Sequence, residues 1–269
     1  MTFAGTAAEI LRDFRRLDPE GDPGWRGRPA DEVHGHGAWM APGGPLLAEA
    51  MGDRLALKPG ERVLDIGCGR GQSSIFLTSR YGVRVVSVDL WVPVAEREGS
   101  SRIAPLQGDI GRGLPEGTGD FDAIYCQQAF HCFGTSRATV RYLASLLRPG
   151  GRLCFAQGCF REEPGELPAL FRDTGGWQAD YHRYHSPGWW RDHLAAATDS
   201  FQEIVAEELV QGQILWEDDV LYRGERAGWS EAFLSSSAWL IRQIAHGQAR
   251  SPTLTHCMVN AVKKGMRQA

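Results

Sequence analysis

The sequence predicts a doubly wound α/β fold, a parallel sheet with helices on both faces, on three observations. Short β-branched runs recur through the middle of the chain, "RVLDIG", "VRVVSVDL", "IAPLQGD", "FDAIYCQQ" and "GRLCFAQG", each ending in a turn or polar loop. Between them lie segments with apolar residues at helical spacing, such as "QSSIFLTSRYG" and "SRATVRYLASLLRPGG". Strand and helix alternating in this way imply crossover connections and a sheet covered on both sides. The first strand also runs straight into three glycines, Gly67, Gly69 and Gly71. That is a turn where something must approach bare backbone.

Taken in order, residues 1–43 read as an N-terminal cap or lid. A short amphipathic helix there is followed by the Gly/Pro/His/Trp-rich stretch "GDPGWRGRPADEVHGHGAWMAPGG". Residues 44–269 read as the main domain. Its first long helical pattern is closed by Gly82, and the later one is expected to stop at Pro149 and Gly150. "SPGWWRDHLAAATD" has a Ser cap at Ser186 and Pro187 in the first turn, which suits a helix start. "FQEIVAEELV" reads as a strand and "RAGWSEAFLSSSAWLIRQIAHG" as a helix inside an inserted cap at about 211–250. "TLTHCMVNAVKK" reads as a final alternating strand. No internal repeat or low-complexity segment is visible.

Composition removes several functions. The chain's 269 residues can bury a sizeable core. With 29 basic against 33 acidic residues, a formal −4, it is poorly suited to neutralising nucleic-acid phosphates. The basic clusters at Arg12, Arg15, Arg16 and at Lys263, Lys264, Arg267 read as surface faces or tails. Six cysteines show neither a C-x-x-C pair nor zinc spacing, which points to a reducing, cytoplasmic setting with small buried thiols. No secretory leader pattern and no apolar run of about 18 residues is present, so neither membrane nor nucleic acid is an expected partner. Glu217, Asp218 and Asp219 read as a solvated turn, and no metal site is expected.

The chemistry starts at "VLDIGCGRGQSS". A nicotinamide loop would place glycine at position 72, which is Gln72, and a phosphate-cradling Walker loop would need Gly-Lys-Ser/Thr. Asp65, at the strand end, suits a cationic ligand head or loop amides and would repel pyrophosphate. Asp89 closes the second strand, where a carboxylate can accept from ribose hydroxyls. Asp109 follows the third strand and can accept from an adenine amine. Acids at three successive strand ends describe a ligand with an amine, a ribose and an adenine but no phosphate. S-adenosylmethionine has that composition.

The sequence here resembles the class I S-adenosylmethionine-dependent methyltransferases of small-molecule type. "DIGCGRG" matches their D/E-x-G-x-G-x-G loop, "VVSVDL" their acidic second strand, "LQGDI" their adenine loop, and "LLRPGGRLCFA" their Leu-x-Pro-Gly-Gly turn. The resemblance implies a Rossmann-like, seven-stranded, mostly parallel sheet whose antiparallel last strand lies in the sheet interior, with N-terminal and C-terminal helical caps. It implies that Asp65, Gly67, Cys68, Gly69 and Gly71 surround the methionyl and ribose parts. Asp89 would hold the ribose, Leu90 pack on the adenine, Asp109 and Ile110 bracket the base, and Gln127 offer backbone to the methionyl amine. Cys68 itself reads as a small filler between glycines.

Acceptor recognition is less legible. His131, in "CQQAFHCF", occupies the place after the fourth strand where small-molecule members often carry a base facing the methyl, and imidazole suits that task. His36 and Trp39, on the glycine-rich entry, are candidate lid contacts. Tyr181, His185 and Trp189 lead an aromatic group in "WQADYHRYHSPGWW" that suits a flat or cationic acceptor. The expected function is methyl transfer to a small, secondary-metabolite-like acceptor. The alternatives are a base-driven cyclisation or elimination on the same cofactor (cyclopropanation, for example), nucleic-acid methylation, and a non-catalytic cofactor-binding module.

Overall fold

The structure, a computed structural model, describes Trp39 and residues 43–94, 100–166, 179–209 and 254–265. His36, Trp177, the acidic turn at 217–219, the inserted cap at 211–250 and all but Trp39 and Gly43 of the expected lid lie outside these residues.

Within them run α1 (Gly44–Arg54), β1 (Arg62–Ile66), α2 (Gln72–Tyr81), β2 (Arg84–Asp89), β3 (Ile103–Gln107), β4 (Phe121–Gln127), α3 (Arg137–Leu146), β5 (Leu147–Phe160), α4 (Pro187–Ala197), β6 (Phe201–Glu208) and β7 (Leu254–Lys263). The strands form one sheet in the order β3-β2-β1-β4-β5-β7-β6. Strands β1 to β5 pair in parallel, and β7 lies antiparallel between β5 and β6, as the resemblance implied.

Local sequence explains most elements. All seven residues of β4 are buried, because a central strand covered on both faces has no solvent side. Pro105 is tolerated in β3 because that strand is an edge and can spare a donor. Helix α2 ends on Gly82 in the left-handed region (φ +69°). Ser186 caps α4 by accepting from the Trp189 amide at 3.2 Å. The stop of α3 comes earlier than expected. It ends at Leu146, and Leu147 is already extended (φ −79°, ψ 141°) as the first residue of β5. Pro149 disfavours helix at the residue before it, and the extended conformation has spread one position further back.

Side chains alternate across the sheet, so each face has its own core. Leu64, Ile66, Phe155 and Val259 pack under α3 and α4 with Val140, Leu143, Trp190 and Leu194. Val63, Tyr125, Cys154 and Met258 pack under α1 and α2 with Leu47, Met51 and Leu77. β1 pairs with both β2 and β4, so strand order reverses there. A crevice outside the carboxyl ends of β1 and β4 follows from that reversal, and ligands of open α/β sheets bind in such a crevice.

Candidate active site

The glycine loop opens at the end of β1. Asp65 is 1% exposed, and its Oδ2 accepts from the hydroxyls of Ser73 and Ser74, each at 2.6 Å. A buried carboxylate needs donors, and these two pin the first turn of α2 to the strand. The sequence suggested loop amides or a ligand in that role. Neither serine was singled out, although small hydroxyl residues in the first turn facing a strand-end acid were the available signal.

Gly67, Gly69 and Gly71 all have positive φ, +71°, +52° and +83°. Only glycine enters that region without strain. A methyl on Gly67 would also overlap the side chain of Ala129, so the β1 and β4 loops touch at this point. Cys68 is buried with its thiol turned to the Gly69 carbonyl, which fits a filler. The N-terminus of α2 has no side-chain cap and no acid in its first turn.

Asp89 is the brace of the next loop. Its Oδ2 accepts from the Gly69 amide at 2.8 Å, and its Oδ1 from the Trp91 and Val92 amides at 2.9 Å each. A carboxylate offers about four acceptor sites, so one strong position remains for a ligand hydroxyl. Leu90 and Trp91 beside it are 45% and 74% exposed, presenting apolar surface at the crevice. Asp109 accepts from the Gly111 amide at 2.8 Å and pairs with Arg112 at 3.6 Å. Ile110, expected to bracket a base, turns its side chain into the core under α3 and α4. Gln127 donates from Nε2 to the Gly44 carbonyl at 3.0 Å and accepts from Tyr125, tying β4 to the start of α1.

Past β4 the site is built of rings. Phe130 stacks on Phe155 (3.8 Å, 5°) and meets Trp190 edge-on, which seats the turn carrying His131. His131 is 9% exposed and meets the Tyr184 ring edge-on at 4.9 Å. Tyr184 lies 5.3 Å from Tyr181, which is buried. His185 stacks on Trp189 (3.6 Å, 8°), and Trp189 on His193 (4.4 Å, 12°). The structure therefore gathers His131, Tyr181, Tyr184, His185 and Trp189 on the α4 side. Trp39 packs elsewhere, edge-on to Phe76 of α2 at 6.2 Å.

Thiol chemistry has no support in this site. Burial pushes the thiols of Cys126 and Cys159 well up and that of Cys154 to about 12, so these three stay protonated. None of the six cysteines is in a disulfide. Among the described residues no cluster of ligating side chains could hold a metal, and no helix is long and apolar enough to cross a membrane.

Residues 63–151, from β1 to the turn inside β5, match the family described as methyltransferase domain. That segment, about a third of the chain, is what is similar to methyltransferase domains. Beyond that segment the likeness covers parts of longer relatives. A phosphoethanolamine N-methyltransferase of Triticum aestivum is 28% identical over 199 residues, covering 67% of this chain and 38% of that protein. A demethylmenaquinone methyltransferase of Corynebacterium kroppenstedtii is 36% identical over 108 residues, covering 40% of this chain and 46% of that protein. The solved structure of Haemonchus contortus phosphoethanolamine N-methyltransferase 2, in complex with S-adenosyl-L-methionine, superposes with a TM-score of 0.67 at 21% identity. It covers 94% of this chain and 60% of that one. The chain thus spans less than half the length of the two curated relatives. Glu163 and His193 were missed from the sequence. The spacing of Trp189 and His193, four residues apart, was the signal for one helix face.

Proposed function

We propose that the protein is an S-adenosylmethionine-dependent methyltransferase acting on a small-molecule acceptor. The observation that carries this reading is the glycine loop locked to Asp89 at the point where strand order reverses. The residues fit the cofactor. An uncapped α2 N-terminus offers amide donors to the methionyl carboxylate, while spare acceptor capacity on Asp89, a partly exposed Asp109 and an exposed Leu90 suit a ribose and an adenine. Gly67, Gly69 and Gly71 would hold the methionyl part with the backbone of Gln127, Asp89 the ribose, and Leu90, Asp109 and the backbone of Ile110 the adenine. When bound, the cofactor supplies an electrophilic methyl group on a sulfonium sulfur.

The chain's own work is alignment, water exclusion and removal of a proton. Phe130, Phe155 and Trp190 give the acceptor side an apolar floor, and Tyr181, Tyr184 and Trp189 give it aromatic walls. His131, at the turn after β4, is one candidate proton acceptor on this side. Relatives named for phosphoethanolamine and demethylmenaquinone support a low-molecular-weight acceptor. Calorimetry with S-adenosylmethionine and S-adenosylhomocysteine tests the cofactor. A metabolite-extract screen with methyl-labelled cofactor tests the acceptor. Binding of neither compound by the folded protein would end this reading.

A further inference from the structure

Glu163 lies three residues past the end of β5, and its two oxygens have different tasks. Oε1 lies 2.7 Å from His185 Nδ1, and Oε2 accepts from the Ser186 amide at 2.9 Å. Ser186 is the residue that caps α4, so the carboxylate is anchored to a regular element. An ionised carboxylate only accepts, which places the imidazole proton on Nδ1 and leaves the Nε2 lone pair facing away from Glu163. Stacking on Trp189 fixes the ring plane independently. Behind Trp189, His193 is held by its Nε2 at 2.9 Å from the Gly134 carbonyl, in the loop after β4. Three elements thus set one imidazole. A clip that only joined the β5 exit to α4 already exists in the Glu163–Ser186 bond and needs no histidine. His185 is also partly exposed (18%) and directly follows Tyr184, the ring that meets His131.

We propose that Glu163 and His185 form a carboxylate–imidazole dyad that takes the proton released on methylation, with Glu163 as the positioning residue. This rests on the methyl-transfer reading above. Methylation of an acceptor X–H forms an X–C bond, while the donor C–S bond breaks with its electron pair kept by sulfur. The proton of X passes to His185 Nε2, and the imidazolium beside the Glu163 carboxylate later returns it to water. A dyad of this kind serves acceptors that must lose a proton, hydroxyls and N–H amines. It has no task on a tertiary amine or a thioether.

The test has one arm without turnover and one with it. Long-range 1H–15N spectra of the histidine-labelled protein should show His185 as a single Nδ1–H tautomer, with His185→Gln identifying the signal. Glu163→Gln should abolish that preference while the fold is retained. A mixed tautomer in the native protein overturns the dyad whatever the activity. With labelled S-adenosylmethionine, and phosphoethanolamine and catechol as acceptor probes, His185→Gln and Glu163→Gln should each lower kcat at least about tenfold, with KM for the cofactor unchanged. Native kcat in both variants removes the dyad and leaves the methyltransferase reading standing. A native protein that binds no S-adenosylmethionine fails that reading first, and the dyad's catalytic role with it.

Discussion

Around β1 and β2 the site is made of backbone amides, positive-φ glycines and carboxylates, whereas past β4 and β5 it is made of stacked rings braced by Glu163. In the first region each bond joins a carboxylate to a nearby loop. Asp65 meets Ser73 and Ser74, and Asp89 meets Gly69, Trp91 and Val92. In the second, Phe130, Phe155 and the stretch holding Tyr184, His185 and Trp190 come from three segments whose rings are brought together by packing. The difference teaches that the first region tolerates little change anywhere, while the second concentrates its chemistry in a few side chains on a replaceable floor.

The largest effect should come from His131→Ala, which tests that concentration. A positioned general base is worth about 100- to 10,000-fold in turnover. Cofactor affinity by calorimetry should stay close to native, since the ring belongs to the acceptor side. Lost affinity together with turnover would mean that the two regions are one unit. If the Glu163–His185 dyad carries the proton instead, His131→Ala should raise KM for the acceptor more than it lowers kcat.

Gly67→Ala probes the opposite region. The position pairs φ +71° with a clash against Ala129, so the variant meets both backbone strain and overpacking. Each is worth roughly 1–2 kcal/mol, and unfolding in denaturant should show a loss of about 2–4 kcal/mol. Adding Ala129→Gly should return the steric share and leave the strain. Full rescue by the second change would show that φ is not the constraint at this glycine.

Why one region was legible and the other was not follows from the same contrast. D-x-G-x-G-x-G is contiguous, and left-handed backbone can be read from glycine alone, so Gly67, Gly69, Gly71 and Asp89 could be placed before any coordinates. The antiparallel direction and interior position of β7 came with the family resemblance, because pairing across the sheet leaves no local mark in "TLTHCMVNAVKK". The acceptor side depends on which rings meet. Tyr181, His185 and Trp189 could be named as a group, but Trp190 became floor and Glu163 a brace only through packing. Ile110 shows the reverse case. Its place in the motif suggested base contact, while burial gave its side chain to the core.

Asp89→Asn sharpens the cofactor side at a smaller magnitude. The amide keeps one acceptor oxygen for loop amides and loses the charge that strengthens the ribose contact. Charged hydrogen bonds are worth about 1.5–3 kcal/mol, so affinity for S-adenosylmethionine should fall roughly ten- to a hundredfold. The melting temperature should also drop, because the new amide nitrogen must face either the Gly69 amide or those of Trp91 and Val92, which then lose their acceptor. Unchanged affinity by calorimetry would remove Asp89 from the ribose assignment and leave it as a loop organiser.

The smallest effect separates the two regions by pH. Burial lowers the pKa of His193 from its ordinary 6.5, the bond to the Gly134 carbonyl works the other way, and Arg137 and His185 add to the lowering. The unfolded chain therefore takes up this proton at a higher pH than the folded one does. The neutral ring contributes stability that is complete above about 6.5 and is lost as pH falls toward the lowered folded value. His193→Gln keeps a donor for Gly134 but cannot titrate. Its melting temperature should fall less than the native one between about pH 7.5 and about pH 5.5, a window set by the ordinary histidine pKa. Equal falls in the two proteins would mean that His193 does not titrate there and that the ring stack under His185 is indifferent to acid. A larger fall in the native protein would locate acid sensitivity in the acceptor half, because no histidine stands among the bonds that hold the glycine loop.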